Sequence, residues 1–337
     1  MTMGDQLTDS AERLFAAQSG KDVIRSAERG IWPQALWDEV EHAGFTAALL
    51  PETAGGFGAS PMEAMGLVRT AAAHAAPIPL AETMLAGWLL AQAGLAVPPG
   101  PLTVAPVRRT DNLALAGGRV SGTARRVPWG RDARAAVVVV NGQVACVPAA
   151  GFTVTQGTNV AGESRDSLVF DAAVEAVACP VALRVAGAAM RTVQIAGALA
   201  QVLDLCVAYV QMRVQFGRPI GKFQAIQQSM AILAGQCAAA GAAADMAAEA
   251  LGGTLDPLVV GAAKARAGEA ASIAAGIAHQ VHGAIGFTQE YALHPLTRRL
   301  WSWRDEFGNE AEWNALVGNA ALRAGADGLW PAITAAA

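Results

Sequence analysis

The 337-residue sequence predicts an α+β protein with an N-terminal helical domain, a small middle antiparallel β domain and a C-terminal four-helix bundle. Three observations carry this. Apolar residues recur at steps of three or four early in the chain and again beyond Pro180, short β-rich runs lie between them, and Gly/Pro clusters mark the change of period. The domains drawn this way are residues 1–100, 101–180 and 181–337.

In chain order, Trp32 to His42 is amphipathic, and the glycine-rich stretch Glu52-Thr-Ala-Gly-Gly-Phe-Gly58 reads as a structural turn. No strand-turn-helix unit surrounds it, so it is not read as a phosphate cradle. Helices follow from about Pro61 to Ala76 and from Leu80 to Gly94, and Val97-Pro-Pro-Gly-Pro101 breaks the pattern. Strands are then expected at Leu113–Ala116, Arg119–Gly122, Ala135–Val140, Gln143–Val147, Phe152–Thr155 and Ser167–Phe170. Asn141-Gly142, between two apolar runs, is the strongest hairpin signal. Beyond Pro180 the chain reads as long helices, and Asp256-Pro257 has the form of an N-cap followed by proline at the first helical position.

Composition narrows the function classes. A formal charge of -4 argues against a nucleic-acid partner, which would show a basic face. No uninterrupted apolar run reaches about 18 residues; the nearest, Met84 to Val97, contains Gln92, so no membrane insertion is expected. The polar start Met-Thr-Met-Gly-Asp is no signal peptide. Cys146, Cys179, Cys206 and Cys237 show no C-x-x-C spacing, which predicts buried thiols of a reducing, cytoplasmic protein without metal or disulfides.

The most informative stretch is Arg213-Val-Gln-Phe-Gly-Arg-Pro-Ile-Gly-Lys-Phe-Gln-Ala-Ile-Gln227. Ile195, Leu199, Val202, Cys206 and Val210 place a helix before it, which Gly217 and Pro219 are expected to end, and a second helix runs from near Lys222 to about Leu251. Arg213, Arg218 and Phe216 at this corner suit a phosphate ester and a base ring, or equally a solvated basic loop with one core phenylalanine.

This stretch resembles the signature of the acyl-CoA dehydrogenase family, and Gln280-Val-His-Gly-Ala-Ile-Gly-Phe287 resembles a second motif of it. The resemblance implies FAD as cofactor, an acyl-CoA substrate, and electron-transfer flavoprotein as electron acceptor. It implies that Arg213, Phe216, Gln280 and Gly283 contact the ADP portion of FAD. Arginine offers paired donors to phosphate, and glycine lets backbone approach closely. His282 reads as packing or hydrogen bonding, and Trp129 either stacks near flavin or fills a sheet edge. The Thr-Glu-Pro and Gly-Ser-Asp elements of a full flavin site are missing, and Leu102-Thr-Val-Ala-Pro-Val107 passes straight into Arg108-Arg-Thr-Asp111.

In the family a carboxylate removes the proton next to the thioester. The corresponding position falls on Phe307, with Glu306 one residue earlier and rotated by about 100° on a helix. The alternative family position falls near Gly187. Glu306 is therefore the candidate catalytic base. Trp301, Trp303 and Trp313, with Arg298, Arg299 and Arg304, read as interface or core. The resemblance also implies an oligomer, either of identical chains using Glu306 or of this chain with a longer sister chain supplying flavin contacts and base. A flavin-free, non-catalytic structural or binding subunit that keeps only the fold is the remaining alternative.

Overall fold

The computed structural model describes residues 3–334; the reading of Met1 and Thr2 as a polar start lies outside them. The N-terminal helices are α1 (Met3–Gln18), α2 (Lys21–Glu28), α3 (Gln34–His42), α4 (Pro61–Ala73) and α5 (Leu80–Gln92). Helix α4 starts at a capping box: the Ser60 side chain accepts from the Glu63 N–H, and the Glu63 carboxylate accepts from the Ser60 N–H at 2.8 Å. Helix α5 is buried from Leu80 to Leu90 without interruption, because helices cover one side and strands the other.

The middle region differs from the single antiparallel sheet expected. Strands β1 (Leu102–Ala105), β4 (Ala135–Val140), β5 (Gln143–Pro148) and β8 (Ala176–Ala178) form one sheet, in the order β1-β4-β5-β8. Strands β2 (Asn112–Ala116), β3 (Arg119–Pro128), β6 (Phe152–Thr155) and β7 (Arg165–Ala173) form the second, in the order β2-β3-β7-β6. Only β1 against β4 is parallel, with Leu102 opposite Ala135. Strand β4 is central in both senses: Ala136 and Val138 face the second sheet, while Ala135 and Val137 join the helical core. A strand covered on both faces loses the apolar/polar alternation, which is why it reads as a continuous apolar run. The Asn141-Gly142 turn joins β4 to β5 with both residues at positive φ, 51° and 74°, as a two-residue hairpin requires.

The C-terminal region comprises α6 (Leu183–Met212), α7 (Gln224–Gly252), α8 (Pro257–His282), α9 (Leu293–Trp303) and α10 (Glu310–Thr334), the last interrupted at Gly325 (φ 68°). Asp256 caps α8 as expected, accepting from the Leu258 N–H at 2.7 Å. Helix α6 stops at Met212, earlier than expected, and Gly217 is not its cap. Instead β9 (Val214–Gln215) and β10 (Arg218–Pro219) make a small hairpin turning at Phe216 and Gly217, with φ of 52° and 79°. Alanines on α7 and α8, among them Ala240, Ala267 and Ala271, bring these helices together in a core shared with α6. Helices α6 and α7 are long and apolar enough to cross a membrane by length and composition, and α6 packs against α4, α7, α8 and α9.

Candidate functional site

Where the three regions meet, charge fills the interior. Glu82 of α5, Arg191 of α6, Glu306 after α9, Arg165 of β7, Glu163 and Arg299 of α9 form a chain of alternating sign, each residue buried. Arg165 Nε donates to Glu306 Oε1 at 2.6 Å and Arg191 Nε donates to Oε2 at 2.8 Å. Arg191 Nη2 also reaches Glu82 at 2.7 Å, and Arg165 Nη2 reaches Glu163 at 3.0 Å. Trp303 Nε1 and Asn159 Nδ2 donate to Glu163 Oε2 at 3.1 and 2.9 Å. Three carboxylates thus meet three guanidiniums, and hydrogen bonds satisfy both Glu306 oxygens, the condition under which buried charge is tolerated.

The electrostatics follow. Burial pushes the Glu306 carboxyl up, but the Arg165 and Arg191 guanidiniums outweigh it and hold it at about 2. Glu163 is lowered too, burial again being overcome by Arg165 and Arg299. A carboxylate held this low and doubly paired is far from the near-neutral proton affinity that suits a general base. The turn carrying Glu306 is itself fixed: the buried Lys264 ammonium donates to the carbonyls of Arg304 and Gly308 at 2.6 and 3.0 Å.

The two positions at which the family motifs put a base meet in space. A Cβ on Gly187 would lie 2.3 Å from the Phe307 ring, which is buried with its backbone at a φ of 56°. The ring therefore fills the place either carboxylate would take. The cavity left beside Glu82, Trp129, Gln194 and Trp303 is about 10 Å³, the room of roughly one water molecule. Trp129 is buried edge-on against Trp32 at 6.4 Å, and Thr103 Oγ1 donates to the Pro128 carbonyl at 2.5 Å.

The second motif pair lies at the far end of α6 and α8. Arg213 is exposed, and its guanidinium has no hydrogen-bond or carboxylate partner among the described residues. Phe216 is 93% exposed at the hairpin tip, in a left-handed conformation uncommon for a bulky residue. Gln280 is exposed at the end of α8, and Gly283 (φ 63°) has open space where a Cβ would stand. The two motifs are joined through Tyr209, just before the hairpin, which stacks on His282 at 4.4 Å and donates to its carbonyl at 3.3 Å. His282 Nδ1 lies 2.8 Å from the Ala278 carbonyl, which can only accept, so Nδ1 carries the proton and Nε2 accepts from Tyr291 at 3.1 Å. His282 is a packing residue whose proton affinity is lowered by burial. Trp303 and Trp313 are core, Trp301 is 43% exposed, and Glu310 and Glu312 pair with Arg304 and Arg184.

Sequence reasoning missed the ion chain, because Glu82, Glu163, Arg165 and Arg191 are scattered over three regions. The one available signal was charge inside otherwise apolar periodic runs, as at Glu82 in α5 and Arg191 in α6.

Helices, a two-sheet β region and a long-helix bundle, in that order, with these two motifs at one end, are the build of a flavin-dependent oxidoreductase. The acyl-CoA dehydrogenase N-terminal domain family matches residues 4–96, and the C-terminal domain family matches residues 183–309. Acyl-CoA dehydrogenase IpdE2 of Mycobacterium tuberculosis is 30% identical over 309 residues, covering 87% of this chain and 89% of that protein. Among solved structures, the Tcur3481-Tcur3483 steroid ACAD superposes with a TM-score of 0.86 at 25% identity, over 94% of this chain and 96% of that one. The ChsE4-ChsE5 complex of Mycobacterium tuberculosis shares the fold, with a TM-score of 0.82 at 24% identity over 95% and 97%. The chain belongs to the acyl-CoA dehydrogenase family, FAD-binding oxidoreductases of acyl-CoA thioesters.

Because the Glu306 carboxyl is lowered on folding, its stabilisation is fully present above its unfolded value near 4.5 and is lost as pH falls toward about 2. Glu306→Gln leaves two guanidiniums underpaired and should cost about 3–5 kcal/mol at neutral pH. Urea unfolding of both proteins at pH 7 and near pH 3 should show the gap narrowing in acid; an equal gap at both values would mean that Glu306 is not held ionised. Gly187→Ala should destabilise by about 1–3 kcal/mol through overpacking against Phe307, measurable by the same unfolding. Unchanged stability would show that the ring moves freely.

Proposed function

We propose that this chain is one subunit of an acyl-CoA dehydrogenase in which it grips the ADP half of FAD, while a longer sister chain holds the flavin ring and supplies the base. The observation that carries the reading is the contrast between its two ends. The flavin-side interior is closed by the Glu82–Glu163–Glu306 ion chain and the Phe307 ring, whereas Arg213, Gln280 and Gly283 lie open without side-chain partners among the described residues, and Phe216 meets only the edge of Phe223 at 6.2 Å. The ADP half fits what is exposed: a guanidinium for pyrophosphate, a ring for adenine, and a bare backbone turn for close approach. The interior beside Glu82, Gln194 and Trp303 does not fit the flavin half, since its cavity of about 10 Å³ cannot admit a ring system; a cleft of about 350 Å³ lies outside it, against Trp32, Trp129 and Arg131.

A bound FAD would supply the hydride acceptor for removing hydrogen from the α and β carbons of an acyl-CoA. Within this chain, Arg213 neutralises the pyrophosphate, Tyr209 and His282 keep the hairpin and the Gly283 turn in register, and Glu306 acts as an ion-pair partner and not as a base. The likeness to the Tcur3481-Tcur3483 steroid ACAD supports a sister chain. Electron-transfer flavoprotein as acceptor and a cytoplasmic location belong to the same reading.

The purified chain mixed with FAD should show no flavin bleaching on titration with acyl-CoA thioesters, and bleaching should appear when the sister chain is added. Arg213→Ala should weaken FAD binding by the pair roughly tenfold, the worth of a lost charge-assisted contact. Bleaching by this chain alone would contradict the reading, and an assembled pair indifferent to Arg213→Ala would favour a purely structural subunit.

A further inference from the structure

We propose that the cleft between α2, α8 and α9 is a second binding site, for a nucleoside phosphate, distinct from the Arg213 hairpin and independent of the function proposed above. The cavity measures about 780 Å³, within the range of small-molecule sites. None of its lining residues belongs to the ion chain, and none is Arg213, Phe216, Gln280 or Gly283.

Its charge is unbalanced. Glu28, the one carboxylate among its lining residues, is committed to Arg298 at 2.6 Å. Arg25 donates only to the Gln289 carbonyl and Arg29 only to Ser26 Oγ at 3.3 Å, and neither has a carboxylate within ion-pair distance among the described residues. Glu290 is fully exposed and meets the Arg25 charge only as a weak influence across solvent. Arg298 Nε is buried with no hydrogen-bond partner. Two unpaired guanidiniums and a third with a spare donor call for an anion, and the planar guanidinium fork matches phosphate oxygens.

The same cleft offers surfaces for a ring. Phe287 stacks on His279 at 4.2 Å with an interplanar angle of 23°, and at 69% exposed its outer face is open. Trp301 of α9 is 43% exposed on the cavity wall. Between them Gly276 of α8 has nothing within 4 Å of where a Cβ would stand, so no side chain occupies that part of the floor. The proton affinity of His279 is lowered mainly by burial, and its Nε2 lies 2.9 Å from Thr297 Oγ1. The Arg304 guanidinium lies over the Trp301 ring at 5.2 Å, so the Phe287 face is the ring surface left open beside Arg25, Arg29 and Arg298, and arginines next to an open aromatic face suit a ligand that is planar at one end and anionic at the other.

Calorimetric titration of the full chain with ADP, adenosine and inorganic phosphate tests this. In the Arg213→Ala background, which removes the hairpin's phosphate contact, ADP should bind saturably, one per chain, and adenosine and phosphate should each bind roughly tenfold or more weakly because each meets half the site. Arg25→Gln with Arg29→Gln, the first part-buried on α2 and the second exposed at its C-cap, should weaken ADP by roughly tenfold or more, and Phe287→Ala should weaken ADP and adenosine alike. Arg213→Ala should leave this binding within about twofold, which separates the cleft from the hairpin. Absence of saturable ADP binding, or binding lost with Arg213→Ala but kept by the Arg25/Arg29 double variant, would overturn the proposal. Equal affinity for phosphate and ADP would overturn the nucleoside assignment.

Discussion

The pairing of Glu306 with Arg165 and Arg191 is the interaction on which the rest of the structure depends. It ties the turn after α9 to β7 and to α6, and through Arg191 and Glu82 it reaches α5. All three regions of the chain are thereby fixed around one alternating line of charge. Such a line is poor evidence of net stability compared with an apolar core, because desolvating six charges costs much of what their attraction returns. Its strength lies in asymmetry: with any one member gone, its neighbours are stranded in a medium that does not solvate them. The arrangement therefore fixes relative position more than it raises stability.

That geometry has a direct chemical consequence. A base for a weakly acidic proton must be close to it, shielded from water and near neutrality in proton affinity. Glu306 meets only the condition of burial. Both of its oxygens are occupied, and the neighbouring positions 187 and 307 are filled by a glycine and the phenyl ring packed upon it. The opposite end of the bundle has the reverse character. There a phenylalanine holds a left-handed backbone at a hairpin tip in full solvent, and backbone strain of that kind persists where the surroundings or a ligand give it a use.

Much of this was legible in the sequence, for identifiable reasons. Period and punctuation located α3, α4, α5, the long helices beyond Pro180 and most strands, though not α1 and α2, and Asn141-Gly142 and Asp256-Pro257 read correctly because their signals are local. The two-sheet arrangement did not, since β4 is apolar on both faces and its parallel partner β1 lies 33 residues upstream at their first paired positions, Leu102 and Ala135, beyond any local pattern. The end of α6 was placed too late because Phe216, and not only Gly217, adopts positive φ, which makes a hairpin where a glycine cap was expected. The candidate base was read from one-residue spacing, whereas its setting depends on Arg165 and Arg191, more than a hundred residues away in the chain. Long-range charge pairing leaves no periodic trace.

The central claim is that the flavin-side interior of this chain is closed, so that it shares a cofactor instead of enclosing one. The flavin content of the assembled enzyme tests it most directly, measured as absorbance of released FAD against the molar amount of each chain. One FAD for each pair of this chain with its sister is the result expected. One FAD for every chain would mean that the Glu306 ion chain opens to admit a flavin, and the account would fail.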